Sequence, residues 1–440
     1  MLLALVALSL TAKAQHKWTL KDCVDYAMQN NITLKQAHLA KETASETRKQ
    51  SEAALFPSLS ASTNQSAGYR PWLETGTTTV SNGTLNNKVN KSYYNGSYGI
   101  NASWTVWNGN QNHNQLKLNK LKEQQAELDI QETANSIQER IAQLYIQVLY
   151  MNEAISVSEE SLKASRKNEE RGSQMVEVGS MSKAQLAQLS SQRATDEYNL
   201  VEARTNLANY KLQLKQLLEI TGDQEFELSL PSASDEQALG AIPSLNSVYE
   251  QALTLRPEIK NSELEIRSSD IQLRIARAGY LPTVSMTGGV GTSTSSNNSK
   301  KWGSQIKTNF DASAGVGVSV PIFDNRKART AVNKAHIQRE QAMLELQDGQ
   351  KTLYKTIEGY WLDAHSNQQK FLAAQASVVS EQTSYDLLSE QFHLGLKNVV
   401  ELMTGKASLL KAQQNMLQSK YTTILSQQLL RFYQGETIDL

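Results

Sequence analysis

Residues 110–171 contain neither proline nor glycine, a run bracketed by Gly109 and Gly172. A helix there of about 65 residues has a length of roughly 100 Å at ~1.5 Å per residue. That exceeds a domain diameter and is about three bilayer thicknesses. A second such stretch runs from about Arg326 to Phe392. It holds Gly349 and Gly359, each costing roughly 1 kcal/mol relative to alanine. Apolar residues recur every seventh position in both stretches. In the second they are Ile357, Ala364, Phe371, Val378, Tyr385 and Phe392, with Leu353, Tyr360, Ala374 and Leu388 on a companion series. In the first they are Ile141, Val148, Ile155, Leu162 and Val176, beside Ile137, Leu144 and Met151. This period predicts coiled-coil packing with a left-handed supercoil. The seam is narrow, so most of each helix faces water or polar neighbours. Composition agrees. Only 39% of residues are hydrophobic and 20% charged, and roughly one third are Ser, Thr, Asn or Gln.

The long stretches belong to a larger repetition, which is read before any motif. At an offset of 225 residues Thr19-Leu20 meets Ser244-Leu245, Ala27 meets Ala252, Lys35 meets Lys260, Leu39 meets Leu264 and Pro57 meets Pro282. At an offset of 216 Trp107-Asn108 meets Phe323-Asp324, Val178-Gly179 meets Leu394-Gly395, and Leu186 meets Leu402. The difference, 225 − 216 = 9, places nine extra residues in a loop of the first copy. Each copy reads helix–helix–strand–strand–helix–helix. The expected organisation is a leader at 1–14, a first repeat at 15–220, a linker at 221–243 and a second repeat at 244–440. Within the first repeat a β-hairpin is expected at about 57–107, the long helix at about 109–175 and a helical tip at about 176–182. The second has its hairpin at about 282–322, long helix at about 326–392 and tip at about 393–398.

Met1 to Leu10 is a short apolar run followed by Ala12-Lys13-Ala14, the pattern of a secretory signal peptide with its cleavage site. The basic start of such a peptide is missing, so the true beginning is expected upstream. Beyond it no run approaches ~18 apolar residues, which leaves a β-barrel as the only way to span a membrane. The strands have that character. Phe310, Ala312, Ala314, Val316, Val318, Val320 and Ile322 share one face, and Asp311, Ser313, Gly315, Gly317 and Ser319 the other. Tyr98, Ile100, Ala102, Trp104 and Val106 alternate likewise. Apolar-out, polar-in alternation over ~10 residues suits a transmembrane strand. Tyr93, Tyr94, Trp104, Trp302 and Phe310 are candidates for aromatic girdles, with Tyr69 and Trp72. Four strands cannot close a barrel, for which about eight is the minimum. Three chains give 3 × 4 = 12. A soluble β-sandwich with one buried face is the competing reading.

Each long helix ends at a glycine. Val178-Gly179-Ser180 and Leu394-Gly395-Leu396 are related turns, each glycine suited to the left-handed conformation that closes a helix. Ser182 and Asn398 follow as N-caps. Two similar exposed tips suit docking to a repeated partner, and a plain helical-hairpin turn fits them equally well.

Several functions are excluded. Basic and acidic residues number 44 each, so nothing points to nucleic acid. One cysteine permits no intramolecular disulfide and no cysteine-rich metal site. The six histidines form no metal-ligand spacing, and no nucleophile elbow, P-loop or dinucleotide fingerprint is present. No catalytic residue, metal or cofactor is expected.

With the duplicated plan, a proline at each first strand, the glycine-centred tips and the Val399-Val400-Glu401-Leu402-Met403 run in place, the chain resembles the TolC-like outer-membrane efflux proteins over essentially its whole mature length. The resemblance implies a mainly α protein with a membrane β part: a homotrimer whose 12-stranded β-barrel, in the outer membrane of a Gram-negative bacterium, continues into a 12-helix α-barrel across the periplasm. It implies an exit duct of a tripartite efflux pump, with a periplasmic adaptor protein at the tips and an inner-membrane transporter of the RND or ABC type behind it. It also implies an acidic constriction ring, for which Asp386 and its duplicate position Glu170 are the candidates. A charge ring there selects cations and repels anions. Family members often carry Asp six residues after the tip glycine, where this chain has Gln185 and Glu401. A type I protein-secretion channel and, from another class, a secreted coiled-coil structural or adhesive protein are the alternatives.

Overall fold

A computed structural model describes residues 17–72, 75–80, 83–88, 90–222 and 226–438. The expected leader at 1–14 lies outside them. In chain order the elements are α1 (Leu20–Asn30), α2 (Ile32–Ala53), β1 (Ser58–Tyr69), β2 (Thr75–Val80), β3 (Gly83–Lys88), β4 (Ser92–Trp107), α3 (Gln111–Glu177), α4 (Lys183–Leu217) and α5 (Asp235–Ala238). Then come α6 (Leu245–Leu255), α7 (Pro257–Ala278), β5 (Thr283–Ser295), α8 (Trp302–Thr308), β6 (Asp311–Ser319), α9 (Lys327–His393) and α10 (Val399–Tyr433).

The halves repeat each other in helix length. α1 and α6 have 11 residues each, α2 and α7 have 22, α3 and α9 have 67, and α4 and α10 have 35. Their first residues keep the sequence offsets: 245 − 20 = 225 and 257 − 32 = 225, then 327 − 111 = 216 and 399 − 183 = 216. Local chemistry sets the boundaries. Thr19 caps α1 in a capping box with Asp22. Ser244 accepts from Ser247 N at the start of α6. Pro257 occupies the first position of α7, where its missing N–H is not needed.

The chain packs as two compact units. One comprises the described residues up to Leu39, Glu127–Ser262 and from Leu346 onward. Its core is the heptad seam. Ile141, Val148, Ile357, Ala364 and Phe371 are fully buried, with Ile137, Leu144 and Leu353 nearly so. Leu214 of α4 and its C-cap residue Leu218 pack with Ile141, Val148 and Phe371, and Leu430 of α10 packs with Leu353, Ile357 and Ala364. The linker packs here. Trp18 and Leu228 form a short parallel bridge, and α5 is capped by Ser234 with Gln237. Gln368 Nε2 donates to Ala238 O and Gly240 O, at 3.0 and 2.9 Å.

The other unit, Ala40–Ala126 and Glu263–Glu345, holds one antiparallel sheet of order β1-β4-β5-β6. The strands expected for the two hairpins pair as β1 with β4 and β5 with β6. In addition β4 and β5 pair across the halves, from Asn95↔Ser295 through Ser103↔Thr287 to Trp107↔Val284, with an irregularity between Thr105 and Trp107. β6 ends at Ser319, short of the alternating run, because Pro321 cannot donate to a ladder. One sheet face carries Leu59, Ala61, Ile100, Ala102, Trp104, Met286, Val290, Ala312, Ala314, Val316 and Val318, as the registers require. Among the described residues most of it is left open: Leu59 is 74%, Val316 66% and Val318 64% exposed, and α8 lies over only its Tyr98–Thr292 end. β1 and β6 are edges. The helices α2, α3, α7 and α9 attach at one end of the sheet, since β4 leaves toward α3 there and β5 arrives from α7, while α8 connects β5 and β6 at the other.

Three further details differ from the sequence reading. The first-half loop contains the β2–β3 hairpin, and the second-half loop contains α8. Tyr93 and Tyr94 point to opposite faces, because side chains alternate along β4. Tyr94 joins the apolar face and donates to Gln65 Oε1. Tyr93 lies on the other face under the Arg70 guanidinium, 4.6 Å from its ring centre, so it does not share a girdle with Tyr94.

Candidate functional site

The two tips are built alike. Gly179 has φ +75° and Gly395 φ +72°, a region that a Cβ disfavours, with no neighbouring atom restricting the space. Each turn closes by the same pair of bonds. Ser180 N donates to Met175 O at 2.8 Å and Gly179 N to Val176 O at 3.0 Å; Leu396 N donates to Gln391 O at 2.9 Å and Gly395 N to Phe392 O at 3.0 Å. These six-to-one closures satisfy the last helical carbonyls. Ser182 and Asn398 then open α4 and α10 in full capping boxes. Their reciprocal partners are Gln185 and Glu401, the residues standing where family members often have Asp. Lys397 Nζ also reaches Glu401 at 2.6 Å. That bond and the Asn398 N–H hold the Glu401 carboxyl below the usual range.

Below the turns Met181, Leu189, Tyr385, Phe392, Val399, Leu402 and Leu409 form a small core. Above it the apolar residues are bare: Val178 is 78%, Leu394 74% and Leu396 71% exposed. The tips thus have a fixed backbone and an apolar surface that the chain itself leaves open.

The two gate candidates are brought to the same end of this unit and are both exposed. Asp386 Oδ1 accepts from Gln382 Nε2 at 2.9 Å. Glu170 lines a groove with Lys167, Arg171, Gln174 and His393, so its surroundings are basic. Burial, Arg171 and Lys167 hold the His393 imidazole below its ordinary range. Among the described residues no hydrogen bond joins Asp386 to Glu170.

Sequence reasoning missed a buried polar cluster behind them. Lys406 of α10 donates to Asp196 of α4 and to Ser165 of α3, and Ser165 also donates to Asp196. The Lys406 and Asp196 side chains are only 7% and 2% exposed. Gln192 Nε2 gives Asp196 a further bond at 3.1 Å. One turn along α3, Asn168 Nδ2 donates to Tyr385 Oη of α9 at 3.2 Å. All four helices that form the tips are thereby cross-linked by polar side chains. A signal existed. Ser158, Ser165 and Gly172 continue the heptad series of Ile137, Leu144 and Met151, so the seam turns small and polar toward the tip.

The family model for "outer membrane efflux protein" matches residues 23–219 and 248–436. The chain belongs to that family. Outer membrane protein TolC of Escherichia coli K12 is 23% identical over 292 residues, covering 65% of this chain and 58% of TolC. Outer membrane efflux protein BepC of Brucella suis is 21% identical over 418 residues, 95% of this chain and 85% of BepC. The chain therefore spans less than two thirds of that TolC but most of BepC. Among solved structures, the Campylobacter jejuni CmeC outer membrane channel superposes with TM-score 0.76 at 20% identity, over 96% of this chain and 87% of that one. VceC of Vibrio cholerae superposes with TM-score 0.78 at 15% identity, over 96% and 97%. These likenesses fix the fold as that of outer-membrane channels. The outer membrane is the chain's location, as its relatives' names state for them.

Proposed function

We propose that the chain is one third of a passive exit duct through the outer membrane. Three copies pair β6 of one with β1 of the next, closing a 12-stranded barrel with the apolar face toward lipid, while the helices form a 12-helix tunnel. The tips dock a periplasmic adaptor, which connects the duct to an inner-membrane transporter of the RND or ABC type. Residues 1–14 are the leader, and 15–220 and 244–440 the two repeats. No step of this function is catalytic. Cargo passes through a water-filled lumen, and the energy is supplied elsewhere.

One observation carries the reading: a four-stranded sheet with two free edges and an apolar face that is open over most of its length. An open edge is not tolerated in hydrocarbon, so a sheet that meets lipid must be closed by further copies. The other sheet face carries Ser58, Ser60, Ser62, Asn64, Asn101 and Ser103, as a water-filled interior requires.

The test is assembly and conductance together. Purified from outer membranes, the protein is expected to run as a trimer that resists mild detergent heating and to form ion-conducting pores in planar bilayers. A monomeric, non-conducting product ends the proposal. Asp386 supplies a finer test. At a constriction its three copies attract cations, so Asp386→Ala is expected to raise conductance and weaken block by multivalent cations. If single-channel recordings show neither change, the gate assignment is removed and the duct stands.

A further inference from the structure

The connection between β5 and β6 does more than turn the chain. From Thr283 to Phe310 the sequence has three lysines, Lys300, Lys301 and Lys307, and no acid. All three are exposed. The segment folds back as α8 and is fastened to the sheet. Buried Gln305 is its centre: its Oε1 accepts from Ser295 N at 2.8 Å, and its Nε2 donates to Lys300 O at 2.7 Å and Ser295 O at 3.1 Å. Thr292 Oγ1 donates to Ile306 O at 2.8 Å, and Asn309 Nδ2 to Ser293 O at 2.7 Å.

The side on which α8 lies decides its meaning. The Trp302 ring meets the Tyr98 ring edge-on, centroids 6.2 Å apart. Tyr98 and Thr292 face each other in the register, on the same face as Ile100, Val290 and Val316. α8 therefore sits on the apolar face, at the end of the sheet remote from the helix attachments. At that end the face changes character. Below Ile100 it is aliphatic apart from Trp104 and Met286. From Tyr98 outward it carries Gln65, Tyr94, Thr292 and Thr294, whose hydroxyl is buried without a partner. Aromatic rings with polar tips over an aliphatic band mark the boundary between hydrocarbon and headgroups. Trp302 is 59% exposed there, with lysines on either side.

We propose that this segment is a headgroup anchor, in which Trp302 enters the boundary of the outer leaflet and Lys300, Lys301 and Lys307 bind the phosphates of its lipid. The inference rests on the reading of the apolar face as lipid-exposed. A soluble anion is a poorer fit. The lysines are spread over an exposed surface with no enclosing cavity, and they adjoin apolar area that needs a cover. Flexible ammonium groups on long stems suit a layer of phosphates, which they reach while their methylenes lie along the boundary.

The full-length trimer is placed in nanodiscs of phosphatidylcholine containing lipid A as the phosphate-bearing probe. Retained lipid A is counted by native mass spectrometry for the parent and for the Lys300→Gln/Lys301→Gln/Lys307→Gln variant. The variant is expected to retain lipid A about tenfold less; equal retention overturns the proposal. In parallel, lipids brominated near the headgroup report on single tryptophans through Trp302→Phe and Trp104→Phe difference spectra. Quenching at both positions is expected. Quenching of Trp104 without Trp302 overturns the anchor and leaves the membrane reading intact. Loss at both shows that the sheet does not meet lipid, and both inferences fall.

Discussion

Replacing Asp196 with Ala is expected to lower stability by about 3–5 kcal/mol, the cost of leaving a buried charge uncompensated. The Lys406 ammonium has lost most of its water, and its remaining partner, Ser165, cannot carry countercharge. Even with Asp196 present, burial holds Lys406 below the usual lysine value of 10.5, so the intact pair adds little net stability. Breaking it and owning it differ. Asp196→Leu with Lys406→Met, which removes both charges at similar volume, is expected to recover most of the loss. The single variant also acquires a pH dependence with a defined sign. Its lysine binds its proton less tightly when folded than when unfolded, so the unfolded state takes up more protons and stability rises with pH. That rise spans the window from the depressed folded value up to about 10.5. Thermal unfolding of the detergent-solubilised trimer at several pH values measures both effects. A single variant as stable as the parent, or a double variant as poor as the single one, contradicts this account of the cluster.

The cluster also shows where sequence reading stops. The long helices were legible because their signal is local and repeated. Ile141, Val148, Ile357, Ala364 and Phe371 stand at heptad spacing and are the fully buried seam. The strand faces were legible for the same reason: alternation along β6 needs no knowledge of its neighbours. What was not legible depends on partners far away in the chain. Asp196 and Lys406 are 210 residues apart, and on a helix of glutamines and serines neither stands out. The β4–β5 pairing joins the two halves, and no local pattern separates it from two independent hairpins. α8 was missed because its short polar sequence has no helical period, and Lys301 gives it no side-chain cap. The β2 strand had a signal that went unread: Thr77-Thr78-Thr79-Val80 is a β-favouring run. The tips stand between these cases. Their glycines and caps were readable, while the capping roles of Gln185 and Glu401 emerge from the folded geometry.

The second large effect is expected at those tips. The triple variant Val178→Asp, Leu394→Asp and Leu396→Asp should fold and conduct as the parent does and lose adaptor binding. Folding is spared because the three side chains project outward; none belongs to the core beneath, where Phe392, Val399 and Leu402 are each 1% exposed. The φ +75° and φ +72° positions at Gly179 and Gly395 are untouched. Binding is lost because burying a valine or leucine against a partner contributes about 1.5–3 kcal/mol each, and a carboxylate in the same place must be stripped of water with no cation to meet it. Three such changes remove more than 4 kcal/mol at the lower figure, about a thousandfold in affinity. Substrate export by cells carrying the variant should fall to the level of cells without the channel, while bilayer conductance of the purified trimer stays at the parental value. That split is the diagnostic point. A general folding defect lowers conductance with export, whereas lost docking lowers export alone. Gly395→Ala provides the contrast: it keeps the apolar surface and forces a Cβ into left-handed backbone at about 1–2 kcal/mol. It should weaken docking far less than the aspartate variant. If pull-downs with the periplasmic adaptor give parental binding for the triple variant, the tips are plain helical turns, and the docking surface lies elsewhere on the chain.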